Sequence, residues 1–251
     1  MTSLQDMLGT PEIGGDFMVE TNVDIVFVID ATESMQPLID KVKKLTLSFR
    51  SELERGLAEN KRAIKNLRTK VIVFRDYYLD DKYALEESPF FDLPKDNTEF
   101  ARYVSGIKAG GGGDEPESGL EALAMAMRAP FVKEGDKRRH IIILFTDASA
   151  HKYEQQFDGT PDNYPPAMFK NLGELYMAWG GSQDFLGGSS PYRVRMETDA
   201  KRLVLFAPSV YPWDDIEINL ENVLRKDLDK GRGGEDMDLT DVITLLSSSV
   251  A

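Results

Sequence analysis

Asp30, Thr32 and Ser34 stand at alternate positions in VDIVFVIDATES (residues 23–34), directly behind a run of apolar residues. A second carboxylate, Asp147, follows another such run in LFTDASAH (residues 144–151). If both runs are strands of one parallel sheet, they present the same end, and the two carboxylates meet. Carboxylates brought close together raise each other's pKa and oppose folding. A hard cation resolves that conflict, because Mg²⁺ takes oxygen donors in octahedral array. Asp30, Asp147 and the hydroxyls of Thr32 and Ser34 are donors of this kind. With no cysteine and only two histidines in the chain, softer metals are disfavoured.

The elements that must position these groups are legible from hydrophobic pattern. Val23 to Ile29 is nearly continuous and β-branched, as in a strand covered on both faces. Ser34 is a plausible N-cap for a helix with Leu38, Val42, Leu45, Phe49, Leu53 and Leu57 on one stripe. Further strands are expected at Lys70–Phe74, Tyr83–Phe91 (a short edge strand), His140–Phe145, Arg202–Phe206 and Asn222–Leu228. Helices are expected from Asp96 or Thr98 to Ile107, from Pro116 to Met127, around Met168–Trp179, and around Leu239–Leu246. Pro116 suits a first helical turn.

This alternation predicts an α/β, Rossmann-like fold. Its open, mostly parallel sheet has six strands, one a short antiparallel edge strand, with helices on both faces. Ligands of such sheets sit beyond the carboxyl ends of the strands, which selects the loops after Ile29, Phe145 and Phe206. Residues 1–21 read as a loose leader and 22–251 as one domain, without internal repeat or linker.

The chain carries a formal charge of −13 and 41% hydrophobic residues, enough for a substantial core. Such acidity disfavours nucleic acid and anionic lipid as partners and suits cations or basic protein surfaces. The short basic clusters, Lys41, Lys43 and Lys44, and Lys137 to Arg139, are expected on solvated faces. No apolar run approaches the roughly 20 residues of a membrane span, and the first residues do not read as a signal peptide. A soluble, cytoplasmic protein is the expectation, and absence of cysteine fits a reducing compartment.

The DATES stretch resembles the D-x-S-x-S motif of the von Willebrand factor type A domain, with Thr32 in place of the first serine. In that family this motif opens a metal-ion-dependent adhesion site. A second loop supplies a threonine and a third an aspartate, here matched by Asp147. The second loop corresponds to GGGGDEPES (residues 110–118), where the resemblance makes Asp114 the candidate, with Glu115 or Glu117 as alternative inward groups. The resemblance implies a metal set of Asp30, Thr32, Ser34, Asp114 and Asp147. It also implies Mg²⁺ (or Mn²⁺ or Ca²⁺) as the ion and a protein partner at the strand-end face. Glu33, Glu115, Ser149 and His151 are expected at the rim of that face, His151 as an exposed loop histidine. The GGGDxPE and TDAxxH patterns resemble a bacterial cytoplasmic branch found in stress, signalling and tellurite-resistance systems. A carboxylate at 114, where the family has a hydroxyl, adds negative charge and should weaken attraction for an acidic ligand.

The four glycines follow a helix and lack a Gly-Lys-Ser/Thr, so they are not a P-loop, and no G-x-G-x-x-G follows the first strand. No nucleophile, base and oxyanion set is evident, so a binding module is expected and not an enzyme. The alternative is a Mg²⁺-dependent phosphohydrolase with Asp30 as nucleophile. Enzymes of the haloacid-dehalogenase type resemble D-x-D-x-T at that point, and Thr32 stands where their second aspartate is needed.

Overall fold

The computed structural model describes residues 19–58, 62–113, 115–186 and 190–250, so the leader expected before Val19, and Asp114, lie outside the described residues. Residues 19–21 already belong to the first strand. The strands are β1 (Val19–Asp30), β2 (Arg62–Phe74), β3 (Leu85–Glu87), β4 (Phe91–Leu93), β5 (Arg138–Phe145), β6 (Lys201–Ala207) and β7 (Val223–Asp227). The helices are α1 (Gln36–Ala58), α2 (Asn97–Gly106), α3 (Gly119–Met127), α4 (Leu172–Trp179), α5 (Trp213–Asn219) and α6 (Leu239–Val250).

The sheet order is β3-β2-β1-β5-β6-β7, with β4 also on β2. Strands β2, β1, β5, β6 and β7 are parallel, and β3 and β4 are antiparallel to β2. The fold is α/β and Rossmann-like, with seven strands among the described residues where six were expected. The segment expected as one edge strand is two, separated at Ser88-Pro89, where proline has no amide to give a ladder.

Alternation along β1 builds two cores. Val23, Ile25, Phe27 and Ile29 face one layer with Leu38 and Val42 of α1, Phe100 of α2 and Leu246 of α6. Val26 and Val28 face the other, with Leu123 of α3, Leu175 and Trp179 of α4, and Trp213 of α5. The apolar stripe of each helix therefore has a sheet face to cover, which supplies most of its stability. Helix α3 begins at Gly119, so Pro116 lies ahead of it and not in its first turn.

The chain order reverses between β1 and β5, which is where ligands lodge in such sheets. Ile29 pairs with Phe145, so Asp30 and Thr146 leave the sheet side by side.

In the first half of β1, away from the strand tip, buried Asp24 accepts from Arg68 Nε (2.8 Å) and Nη2 (2.5 Å) and from the Val132 amide (2.6 Å). Removing it leaves the half-buried Val132 amide and Arg68 Nε without their acceptor. Asp24→Ala should lose about 2–3 kcal/mol of stability in urea denaturation while leaving any response to divalent cation intact. An unchanged urea midpoint would contradict this.

Candidate metal-binding site

The loop after β1 turns inward through Asp30. Its Oδ1 accepts from the Thr32 amide (2.9 Å) and Thr32 Oγ1 (2.7 Å), and its Oδ2 accepts from Thr146 Oγ1 (2.7 Å). Ser34 Oγ donates to Asp147 Oδ1 at 3.1 Å, and the Gly233 amide to Asp147 Oδ2 at 2.6 Å. Asp30, Thr32, Ser34 and Asp147 are thus brought together. Asp30 and Asp147 are buried, whereas Ser34 is exposed and opens the cluster to solvent. Ser34 lies inside a short 3₁₀ turn (Glu33–Met35) ahead of α1, and its hydroxyl serves Asp147 and not a helix cap. In both pairs the hydroxyl proton goes to a carboxylate, which leaves the hydroxyl lone pairs free to face a cation.

Glu117 is the inward carboxylate of the glycine-rich loop among the described residues. A parallel bridge to Ala150 fixes it: the Glu117 amide donates to Ser149 O (3.0 Å), and the His151 amide to Glu117 O (2.9 Å). Its side chain is 4% exposed, and Oε2 has no hydrogen-bond partner among the described residues. Gly112, at φ +67°, is wedged between the cluster's two sides. A β-carbon there would stand 2.7 Å from Thr32 Cγ2 and 2.8 Å from Glu117 Oε1. Only glycine fits that position, both for its left-handed backbone and for the space.

Burial pushes the Glu117 carboxyl up to about 9, with the charges of Asp30, Asp76, Asp80 and Asp147 adding to it. Burial raises Asp30 to about 6 against the hydrogen bonds from Thr146 and Thr32, and Asp147 adds to the rise. The main influences on both groups are burial, neighbouring carboxylates and, for Asp30, hydroxyl and amide donors, with no basic side chain among them. Among the described residues no three His, Asp or Glu side chains are arranged to hold a metal by themselves. A cation here would have to draw on the hydroxyls of Thr32 and Ser34 as well. The donor set is oxygen throughout, and an orphaned buried carboxylate oxygen points to a missing positive partner. The residues fit a hard divalent ion.

The surrounding loops are tied down independently. Asp80 Oδ2 accepts from the amides of Gly112 (2.8 Å) and Asp76 (3.0 Å). Arg75 Nε donates to Gly110 O (2.7 Å), and the Gly110 amide to Ala31 O (3.0 Å). Behind Asp147, the loop leading to α6 is held by Lys41, whose Nζ donates to the carbonyls of Gly234 (3.0 Å), Glu235 (2.6 Å) and Met237 (2.7 Å). Lys41 is therefore a clamp and not the solvated lysine expected. The Gly233 amide it helps position is part of the site.

Of the expected rim residues, Glu33 and Glu115 are exposed. Glu115 pairs with Lys230 at 2.5 Å and accepts from Ser149 Oγ at 3.2 Å. His151 departs from expectation: it is 7% exposed, with Nε2 3.1 Å from Asp76 Oδ1 and Nδ1 2.6 Å from Gln155 Oε1. Burial works against its charged form, but the Asp76 carboxylate outweighs this and the pKa rises. His151 pins the loop after β5 from beneath and is not a rim side chain. Thr146, Asp76, Asp80 and Gly233 were not singled out from sequence. For Thr146 a signal existed, since a buried apolar strand ending on Thr-Asp repeats the polar tip of β1.

With this geometry in hand, similarity to known proteins can be placed on it. Residues 89–158 match the family model of the von Willebrand factor A domain. That segment holds Glu117, Asp147, Ser149 and His151, but not Asp30. The chain is 27% identical over 143 residues to the alpha-protein kinase vwkA of Dictyostelium discoideum, covering 57% of this chain and 21% of that protein. The matched part is thus about a fifth of that relative's length. Among solved structures, the pilus adhesin SpaC of Lactobacillus rhamnosus GG superposes over 92% of this chain and 30% of that one, at a TM-score of 0.52 and 12% identity. BatB of Bacteroides thetaiotaomicron covers 91% of this chain and 97% of that one, at a TM-score of 0.45 and 14% identity. The SpaC likeness supports the α/β fold.

Next to the cluster, fully buried Glu121 of α3 accepts from Tyr164 Oη at 2.7 Å, and burial raises its carboxyl from 4.5 to about 7. The native state therefore keeps this proton to higher pH than the unfolded chain. The group's contribution is full below about pH 4.5 and is lost as pH rises through about 7. Glutamine keeps an acceptor for Tyr164 and does not ionise. The stability gained by Glu121→Gln should grow from near zero in acid to ~3 kcal/mol at about pH 8, read by urea denaturation. A difference that does not change with pH would contradict it.

Proposed function

We propose that this chain is a protein-interaction module whose strand-end face is completed at its centre by a divalent cation. One observation carries the reading: the buried Glu117 carboxylate, with one oxygen lacking a hydrogen-bond partner among the described residues, beside Asp30 and Asp147. Thr32 and Ser34 would hold the ion through their hydroxyls, with Asp30, Asp147 and Glu117 supplying charge, and Mg²⁺ is the first candidate, ahead of Mn²⁺ and Ca²⁺. Asp114, in the same loop, remains in the proposed set by the sequence resemblance. The ion's contribution is positive charge where three carboxylates crowd.

What the chain's own residues do follows from that. Asp30 and Asp147 orient the two hydroxyls, Gly112 admits Glu117, and the Glu117–Ala150 bridge ties the glycine-rich loop to the loop after β5. So many carboxylates leave the ion little residual charge for an outside acid, so its role is to balance the charge of the inward carboxylates at the centre of loops that other contacts already hold. The partner is another protein recognising those loops. Binding is favoured over catalysis because both oxygens of Asp30 are taken by donors in a buried position, which leaves no free nucleophile. A place in a bacterial cytoplasmic stress or signalling complex rests on the GGGDxPE and TDAxxH patterns.

Thermal melting tests the reading. Mg²⁺ at about a hundred times its dissociation constant should raise the melting temperature by roughly 5 °C or more over chelated protein. Glu117→Gln should raise the melting temperature of the chelated protein, by removing a carboxyl whose ionised form burial penalises, and lose most of the Mg²⁺ response. Ser34→Ala, at an exposed site, should lose the response without the gain. A melting temperature indifferent to Mg²⁺ in the parent chain would overturn the proposal.

A further inference from the structure

Next to the carboxylate cluster, the strand-end face carries a groove of about 830 Å³. Four connections meet in it: Tyr78 after β2, Pro116 before α3, Ser149 and Ala150 after β5, and Val210 and Tyr211 after β6. Ser149 belongs to both places, since its carbonyl holds the Glu117 amide. Pro116, Ala150 and Val210 give the groove an apolar lining, and the half-buried rings of Tyr78 and Tyr211 its aromatic part.

Its charge is lopsided. Glu154 and Asp158 line it, both are exposed, and neither forms an ion pair among the described residues. Lys152 is the cation in the lining, and its Nζ stands 5.5 Å from the centre of the Tyr211 ring. Each aromatic ring has one of the free carboxylates in its field. Burial, then Glu154, raises the Tyr211 phenol to about 12. Burial, with Glu121, Asp76 and Asp158, does the same for Tyr78. Free carboxylates beside aromatic faces make a seat for a cation with an apolar neighbour. Exposed lining of this kind is too open to enclose a small molecule, which needs most of its surface covered. A second copy of the chain is disfavoured by its charge of −13.

We propose that this groove seats an extended segment of a partner protein that carries a bulky apolar residue with an arginine or lysine close behind it. The apolar side chain lies against Pro116, Val210 and Tyr211, and the cation meets Glu154 and Asp158. This rests on the interaction-module reading above and names the chemistry of its partner.

The test uses the whole chain and three pools of short, end-blocked peptides on a solid support, fixed at their centre as Phe-X-Arg, Phe-X-Glu or Ser-X-Arg. Capture is measured at physiological ionic strength, with Mg²⁺ and with chelator. The Phe-X-Arg pool should be retained about tenfold better than the other two. Glu154→Lys with Asp158→Lys should reverse the preference to Phe-X-Glu, and Glu154→Gln with Asp158→Asn, milder at the same exposed sites, should abolish it. Equal capture of all pools, or a preference indifferent to both double variants, overturns the groove. A charge-selective capture identical with Mg²⁺ and with chelator supports the groove and counts against the cation's role. Capture that needs Mg²⁺ but ignores Glu154 and Asp158 keeps that role and removes the groove.

Discussion

Like charges at the end of a parallel sheet repel, and in a buried place that repulsion is little screened. The fold holds Asp30, Glu117 and Asp147 together in a buried place, where burial first and their mutual repulsion second oppose the charged forms of Asp30 and Glu117. Asp30 leaves β1 at the point where strand order reverses, Asp147 leaves the adjacent β5, and Glu117 is clamped between them by its bridge to Ala150. Parallel strands give no other arrangement, because their carboxyl ends all emerge on one side. The remaining architecture supports that crowding: donors from Thr32, Thr146, Ser34 and the Gly233 amide each satisfy one carboxylate oxygen, and one oxygen of Glu117 is left over.

Around this centre, the loops are fixed by contacts that do not depend on it. Arg75 and Asp80 hold the glycine-rich loop, Lys41 holds the loop before α6, and His151 with Asp76 holds the loop after β5. The outline of this face is therefore largely preset, and a partner of the kind proposed would meet it in that form. A preset outline lowers the ordering cost of binding. The oxygen cluster and the groove beside it share Ser149 and the loop of Pro116.

Much of this was legible in the sequence because it is local. The apolar runs of β1 and β5 and their polar tips gave Asp30, Thr32, Ser34 and Asp147 by position alone. Helix α5 was missed: it is seven residues long, and WDDIEIN reads as a polar loop although Trp213 and Ile216 are fully buried. The first half of β2 was missed because its charged residues hide the alternation, and parallel pairing with Val19–Asp24 of β1 makes it a strand. Glu117 was not separable from its neighbours, since a bridge to Ala150 decides which side chain turns inward. His151 looked exposed because its partner, Asp76, lies 75 residues away. Contacts of that span carry no local pattern, and they decide which side chains of a loop are buried.

The most direct test is anomalous diffraction from crystals of the whole chain grown with Mn²⁺. The account predicts one strong peak at coordination distance from the hydroxyls of Thr32 and Ser34, with the Glu117 carboxylate turned onto it. It is contradicted if no peak lies between Asp30, Glu117 and Asp147, or if Glu117 is found paired with a basic side chain.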